Sequence, residues 1–358
     1  MSSESENALG LNGFEFVEFT SPEPGKMIEL IERLGFTAYA QHPTKDVVRY
    51  KQGGINLLVN REPTGQAAEF RAAHGPSANG MAFRVADAKK AYELAIERGA
   101  RPADPNAGTL GPDSYVLQGI GGSLLYLVDR YGAKGSLYDG WRQIPGAAEA
   151  EAKNSTGLDI LDHLTHNVRR GEMRTWSSFY SRVFGFTEQK YFDIKGQATG
   201  LFSQAMIAPD RAIRIPLNES QDDKSQIEEF IRQYNGEGIQ HLALTTDDIY
   251  TTVEKLRARG VVFQDTIETY YELVDKRVPG HGEDLARMKH NRILIDGSKS
   301  EGFLLQIFTE NLFGPIFFEI IQRKGNEGFG NGNFQALFES IELDQIRRGV
   351  IKVTTPKP

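Results

Sequence analysis

The chain has 358 residues, enough for two domains with sizeable cores, and its hydrophobic and charged contents are those of an ordinary globular protein. A formal charge of −7 leaves no basic footprint, which argues against nucleic acid and anionic membranes as partners. Zero cysteines exclude disulfides, thiolate metal sites, iron–sulfur clusters and cysteine nucleophiles, so any metal must be held by nitrogen and oxygen. No apolar run approaches the roughly 20 residues of a membrane span. The start, Met-Ser-Ser-Glu-Ser-Glu-Asn, lacks the basic-then-apolar order of a secretory signal, so a cytoplasmic location is the default expectation.

In chain order, a helical stretch from Met27 to Arg33 ends in Leu34-Gly-Phe36. The run Gly80-Met-Ala-Phe-Arg-Val85 reads as a strand and leads into an amphipathic helix that starts at Asp87 and stops at Gly99. An apolar strand follows, Leu124-Leu-Tyr-Leu-Val-Asp-Arg130, and then a polar, Gly- and Ala-containing linker near Gly146 to Gly157. The second half repeats the plan. A helical stretch from Met173 to Val183 ends in Phe184-Gly-Phe186, and His241-Leu-Ala-Leu-Thr-Thr246 leads into a helix from Asp248 to Gly260. The strand Phe317-Phe-Glu-Ile-Ile-Gln-Arg323 answers Leu124 to Arg130. The pattern is a tandem duplication of a strand–helix–strands unit, with domains expected at 1–150 and 151–358.

Three residues break apolar strands in the second half. Glu319 lies within Ile316 to Ile321, His163 within Leu161-Asp-His-Leu164, and His241 within Gly238 to Leu244. Burying an unpaired carboxylate costs several kcal/mol, so Glu319 must meet a cation, a metal or a dense set of donors. Two imidazoles and one carboxylate on separate apolar strands point to a metal site. In the repeat, His241 falls on Gly80, Glu319 on Tyr126, and His163 near Gly13 to Val17, where the alignment is loose. None of these first-half positions carries a ligand, so the second half is the catalytic candidate and the first a scaffold copy. Strand alternation puts His166 on the face opposite His163, as a structural residue. His42, His74, His281 and His290 lie in polar, loop-like surroundings and receive no role.

Seven motifs in order carry a family resemblance. They are Asp162-His-Leu-Thr-His-Asn-Val168, Tyr191-Phe-Asp-Ile-Lys-Gly196, Arg214-Ile-Pro-Leu-Asn-Glu219, Gly236-Glu-Gly-Ile-Gln-His241, Leu304-Leu-Gln-Ile-Phe308, Phe318-Glu-Ile-Ile-Gln-Arg323 and Gly328-Phe-Gly-Asn-Gly-Asn-Phe334. On these the chain resembles the bacterial 4-hydroxyphenylpyruvate dioxygenases of the vicinal-oxygen-chelate superfamily, over essentially its whole length. Residues 281–292 and the 299–302 turn carry no such signature. The resemblance implies an α+β fold of tandem βαβββ (glyoxalase-like) modules forming two open-barrel domains, with a C-terminal lid helix. It implies that His163, His241 and Glu319 hold one Fe(II) per subunit, leaving three positions for a 2-oxo acid and O2. The implied reaction is oxidative decarboxylation, ring hydroxylation and side-chain migration to homogentisate and CO2 in tyrosine and phenylalanine catabolism, with no organic cofactor. A homo-oligomer is implied as well.

The matching pocket positions are Ser203, Asn218, Gln226, Gln240 and Gln306, with Phe308, Phe317, Phe329, Phe334 and Phe338 as aromatic walls and lid. A regular strand would point Gln240 away from the metal, leaving it to support His241 from behind. The final helix places Phe334, Leu337, Phe338 and Ile341 at helical spacing after an Asn333 N-cap, and reads both as a core-covering helix and as a gate. Two other readings accompany the first: a 4-hydroxymandelate synthase acting on the same substrate, and a metal-free binding protein of the same superfamily, against which the intact triad argues.

Overall fold

The computed structural model describes residues 7–196, 199–330, 332–333, 335, 338, 342, 345–346 and 348–351. The first half runs β1 (Leu11–Thr20), α1 (Pro24–Arg33), β2 (Thr37–Gln41), β3 (Val47–Gln52), β4 (Ile55–Asn60), α2 (Gln66–His74), β5 (Ser77–Val85), α3 (Ala88–Glu97), β6 (Tyr115–Gln118), β7 (Leu124–Val128) and β8 (Arg142–Gln143). Helix α4 (Ala147–Asn154) joins it to β9 (Leu158–Val168), α5 (Met173–Phe184), β10 (Thr187–Lys195), β11 (Gly200–Ile207), β12 (Arg214–Ser220), α6 (Gln226–Tyr234), β13 (Gly238–Thr246) and α7 (Ile249–Ala258). Three short helices follow, α8 (Glu268–Glu272), α9 (Val274–Arg277) and α10 (Leu285–Asn291), and then β14 (Leu294–Ser298), β15 (Gly302–Phe308) and β16 (Phe317–Lys324).

Each half forms one eight-stranded sheet, in the orders β6-β7-β5-β1-β4-β3-β2-β8 and β10-β11-β12-β9-β13-β16-β15-β14. The two central strands of each sheet, β1/β5 and β9/β13, run antiparallel. Each of the four pairs in parallel with the last sheet strand of its own unit: β1 with β4, β5 with β7, β9 with β12 and β13 with β16. The strand–helix–strands unit therefore occurs four times, twice per sheet, where the sequence shows only the match between halves. The β5 unit is abbreviated: only β6 and β7 follow its helix in that half of the sheet, and β8 pairs with β2.

Local chemistry accounts for the repeated helices. The carboxylates of Asp87 and Asp248 accept from the backbone N–H three residues on, at Lys90 (3.0 Å) and Thr251 (3.1 Å), which caps α3 and α7. The edge strand β10 is largely exposed and carries Glu188, Lys190, Asp193 and Lys195, charges that protect an open edge from pairing. The segment expected to be a plain linker is structured: α4 docks on the first sheet through Glu151, which pairs with Lys51 at 2.8 Å and accepts from the N–H of Gly53 at 2.9 Å. One core runs through both halves, with Phe83 on β5 5.4 Å from Phe184 and Phe19 on β1 5.2 Å from Phe313.

Near the C-terminus, residues 332–333, 335, 338, 342 and 345–346 are helical, and Phe338, Glu342 and Gln345 are buried. Phe334, Leu337 and Ile341 lie outside the described residues. Among the described residues no helix is long and apolar enough to cross a membrane.

Candidate metal centre

Strands β9, β13 and β16 lie side by side, and their register places His163, Ala243 and Glu319 in one row. His241 precedes Ala243 by two residues and so shares its face. The small Ala243 leaves the space that the two imidazoles and the carboxylate enter. His163 Nε2 is 3.2 Å and His241 Nε2 3.4 Å from Glu319 Oε2. One ligand atom from each of the three fits within a span of 4.8 Å, and all three residues are buried.

Two β-bulges orient the imidazoles. Ala243 opposes His163 while the next residue, Leu244, opposes Leu161, so Asp162 is an extra residue in β9. On the partner strand Ile239 opposes His166 and His241 opposes Thr165, so Gln240 is an extra residue in β13. A bulge breaks alternation, which lets a residue and its neighbour turn to one side. Each extra residue immediately precedes a candidate ligand and holds its ring from behind. Asp162 Oδ1 accepts from His163 Nδ1 at 2.8 Å, and Gln240 Oε1 accepts from His241 Nδ1 at 3.0 Å. Both rings then carry an N–H on Nδ1, which leaves Nε2, on the side of Glu319, as the atom that would ligate a metal.

The charges fit this arrangement. Burial alone would raise the Glu319 carboxyl, yet the two imidazoles pull it down to about 2, so it is ionised. Burial opposes a charge on His163, but Glu319 and Asp162 outweigh it and raise that imidazole; His241 is lowered by burial, and its neighbour His163 adds to the effect. Asp162 is also buried, yet Arg323 and His163 hold it far below the usual carboxylate range. Arg323 grips it with Nε at 2.8 Å and Nη2 at 2.9 Å, and Arg214 Nη1 lies 3.5 Å away. Two aimed nitrogens and an ionised oxygen suit a divalent transition metal with open coordination positions.

The triad lines a cavity of about 30 Å³ together with Thr165, Phe192, Ser203, Asn218, Gln306, Phe308 and Phe329. Ser203 and Asn218 face each other across β11 and β12. The Asn218 Oδ1 atom is buried without a hydrogen-bond partner. Gln306 Nε2 donates to Glu319 Oε1 at 2.6 Å. Phe329 meets the His163 ring at 5.5 Å between centroids. Gln226 and Gln240 line an adjoining cavity of about 530 Å³, as does Phe317, whose ring also stacks on His241 at 4.8 Å. Phe338 lies away from both cavities, near Gly196, and Phe334 is outside the described residues. His166 faces the opposite side, where its Nε2 is 2.7 Å from the Tyr180 hydroxyl of α5 and burial lowers its pKa to about 3. Sequence reading assigned no role to Asp162 or Arg323; the signals present were the charge next to His163 in an apolar run and the arginine that closes the strand of Glu319.

The first sheet has a counterpart place. There Ala82 on β5 pairs with Phe16 on β1 and Tyr126 on β7, as Ala243 pairs with His163 and Glu319. Gly80 holds the position of His241, and a Cβ on it would lie 3.3 Å from the Tyr126 ring. The loose alignment of His163 thus resolves to Phe16, whose ring packs on Tyr126 at 5.4 Å. Aromatic rings fill the volume that the second sheet leaves to ligands.

Comparison with known proteins agrees with this geometry. Residues 5–141 match the family described as hydroxyphenylpyruvate dioxygenase, HPPD, N-terminal. Residues 160–273 match the glyoxalase/bleomycin resistance protein/dioxygenase superfamily. A 4-hydroxyphenylpyruvate dioxygenase of Pseudomonas aeruginosa is 57% identical, with 97% of this chain and 98% of that protein aligned. The chain belongs to the 4-hydroxyphenylpyruvate dioxygenase family. A protein of Vibrio vulnificus named hemolysin VllY is also 57% identical, over 96% of this chain and 98% of its own length. Among solved structures, a mutant 4-hydroxymandelate synthase from Streptomyces coelicolor superimposes with a TM-score of 0.80 at 25% identity, covering 94% of this chain and 99% of that one. The dioxygenase family thus embraces both sheets, the one with the triad and the one with aromatic rings in its place.

Proposed function

We propose that this chain is a non-haem Fe(II) dioxygenase that converts 4-hydroxyphenylpyruvate and O2 to homogentisate and CO2. The observation that carries the reading is the buried His163/His241/Glu319 cluster, each imidazole aimed by the residue before it, in a chain aligned end to end with dioxygenases of this name. The division of labour follows: residues 151–358 hold the catalytic centre, and residues 1–150 form a supporting copy without ligands.

His163, His241 and Glu319 would hold the Fe(II), which would supply the redox chemistry toward the oxo acid and O2. The protein's own residues bind and orient. Asn218 presents an unpartnered buried oxygen to the cavity, suited to the substrate's phenol O–H, with Ser203 beside it. Phe308 and Phe329 flank the aromatic ring, and Phe317 backs His241. Gln306 orients Glu319 through its hydrogen bond, while Gln226 and Gln240 line the larger adjoining space. A cavity of about 30 Å³ has room for about one water, far below the roughly 300 Å³ of an ordinary ligand pocket, so the oxo acid enters only when the turn bearing Phe329 shifts. Its return excludes water from the reaction.

The test is anaerobic reconstitution with Fe(II), followed by 4-hydroxyphenylpyruvate and air. One O2 consumed per homogentisate formed is the expected result, with none in chelator-treated protein. Iron bound but no O2 uptake would reject the substrate; no iron bound would return the chain to the binding proteins of the superfamily. Chromatography separates homogentisate from hydroxymandelate, the product suggested by the structural neighbour, and the higher identity to the dioxygenases favours homogentisate. Light scattering tests the accompanying proposal of a homo-oligomer.

A further inference from the structure

Glu319 turns Oε2 toward the histidines, and its other oxygen is held by Gln306. That bond sets the direction of everything behind it. An ionised carboxylate only accepts, so Gln306 must point its amide nitrogen at Glu319 and its oxygen away. Gln306 Oε1 accepts from Asn333 Nδ2 at 2.8 Å. Asn333 then offers its own oxygen to the Tyr270 hydroxyl, 2.9 Å away. Each amide orientation follows from the one before, and the series ends on a phenol that has to donate.

The phenol's surroundings direct its proton there. Tyr270 Oη accepts from Arg277 Nη2 at 2.7 Å and from the N–H of Ile295 at 2.8 Å, which occupies both lone pairs. The carbonyl of Ile295, 3.0 Å away, is a second acceptor but has Arg277 Nη2 at 2.6 Å as a donor of its own, whereas Asn333 Oδ1 at 2.9 Å draws on the phenol. Burial pushes the phenol up to about 12, so the proton stays on the oxygen. The glycine-rich turn lies directly on this series. Gly330 has φ +68°, and a Cβ there would come within 2.3 Å of Gln306 Oε1; one on Gly332 would come within 2.5 Å of Arg277 Nη1. Gly332 N–H donates to Asp296 at 3.0 Å, while Arg323 holds the other end of the turn through the carbonyls of Asn326 (2.9 Å) and Gly328 (2.7 Å).

We infer that Tyr270 is a positioning residue: with Arg277 it latches Asn333, and with it the segment that bears Phe329, over the cavity and, through Asn333 and Gln306, fixes the rotation of Glu319. The effect on Glu319 rests on the metal reading above; the latch rests on the hydrogen bonds alone.

Two variants test it without substrate. Tyr270→Phe keeps the ring, which packs 4.9 Å from the Arg277 guanidinium, and removes only the hydroxyl. Asn333→Asp puts an acceptor opposite Gln306 Oε1, so Gln306 has to turn over and present its oxygen to Glu319. Anaerobic Fe(II) titration gives the dissociation constant, and trypsin cleavage after Lys324 in the metal-loaded protein reports opening of the turn. The expected result is Fe(II) binding weakened about tenfold in Tyr270→Phe, and further in Asn333→Asp, with faster cleavage in both. A Tyr270→Phe protein that binds Fe(II) as tightly as the wild type overturns the inference even when it melts earlier, because a merely structural phenol would behave so. Unchanged cleavage in both variants overturns the latch. Wild type that takes up no Fe(II) rejects the metal reading itself, and the effect on Glu319 with it.

Discussion

At the scale of single residues, both oxygens of Asp162 are engaged, Oδ1 by His163 and Arg323, Oδ2 by Arg323 and Arg214. An asparagine there keeps the shape but supplies one oxygen instead of two and turns an N–H toward a cation. Asp162→Asn is expected to weaken Fe(II) binding by about tenfold to a hundredfold, because His163 loses a charged anchor for its Nδ1–H. It should also destabilise the fold by about 3 kcal/mol, since a largely buried guanidinium loses its counter-ion. Metal titration and urea unfolding measure the two effects. Fe(II) affinity equal to the wild type would show that the carboxylate serves only Arg323. Gln240, its counterpart behind His241, is neutral and among the described residues meets Asn218 rather than a cation, so the two imidazoles are held by supports of unequal strength.

At the scale of elements, the seam between β9 and α5 is closed by His166 and Tyr180, and it carries a pH dependence. The buried imidazole is lowered to about 3, against about 6.5 in an unfolded chain. A depressed pKa means that the unfolded state binds the proton first. Its share of stability is therefore complete above pH 6.5 and is lost as the pH falls toward 3, by up to about 1.4 kcal/mol per pH unit. In metal-free protein, His166→Asn should lack that slope between those limits; equal slopes in both proteins would assign the acid sensitivity elsewhere. The strands themselves are legible in the sequence, because His163, His241 and Glu319 each interrupt an apolar run, and so are the caps at Asp87 and Asp248. The bulges are not. Alternation does place Gln240 behind His241, but that Asp162 and Gln240 are extra residues in their strands is set by the register between the two, a property of neither alone. Tyr270 and Arg277 are equally silent, sitting in a polar stretch without periodicity.

At the scale of the whole molecule, the halves meet where the centre is built. Gly121, at φ +59°, lies so close to the second half that a Cβ on it would be 2.0 Å from the carbonyl of Glu237, the residue before β13. Together with the shared aromatic core, this contact predicts one calorimetric unfolding transition for both sheets. Gly121→Ala should lower that single transition as a unit. Two separate transitions in the wild type would contradict the shared core. The division into halves is readable from the match that sets His241 on Gly80 and the helix from Asp248 on that from Asp87, but the fourfold repetition is not, because the units within one half match in strand pairing and not in side chains.

The same pairing has a consequence for what counts as the smallest working piece. His163 belongs to one strand–helix–strands unit, while His241 and Glu319 belong to the next. A lone unit owns only part of a coordination sphere, however well it folds. Excising residues 158–324 would preserve every ligand and both supporting side chains, whereas a cut anywhere between β12 and β13 would divide the donors between two fragments. Metal affinity is in this sense a property of adjacency: it would be recovered by mixing the two fragments, in proportion to how well β9 and β13 find each other, and by neither fragment alone.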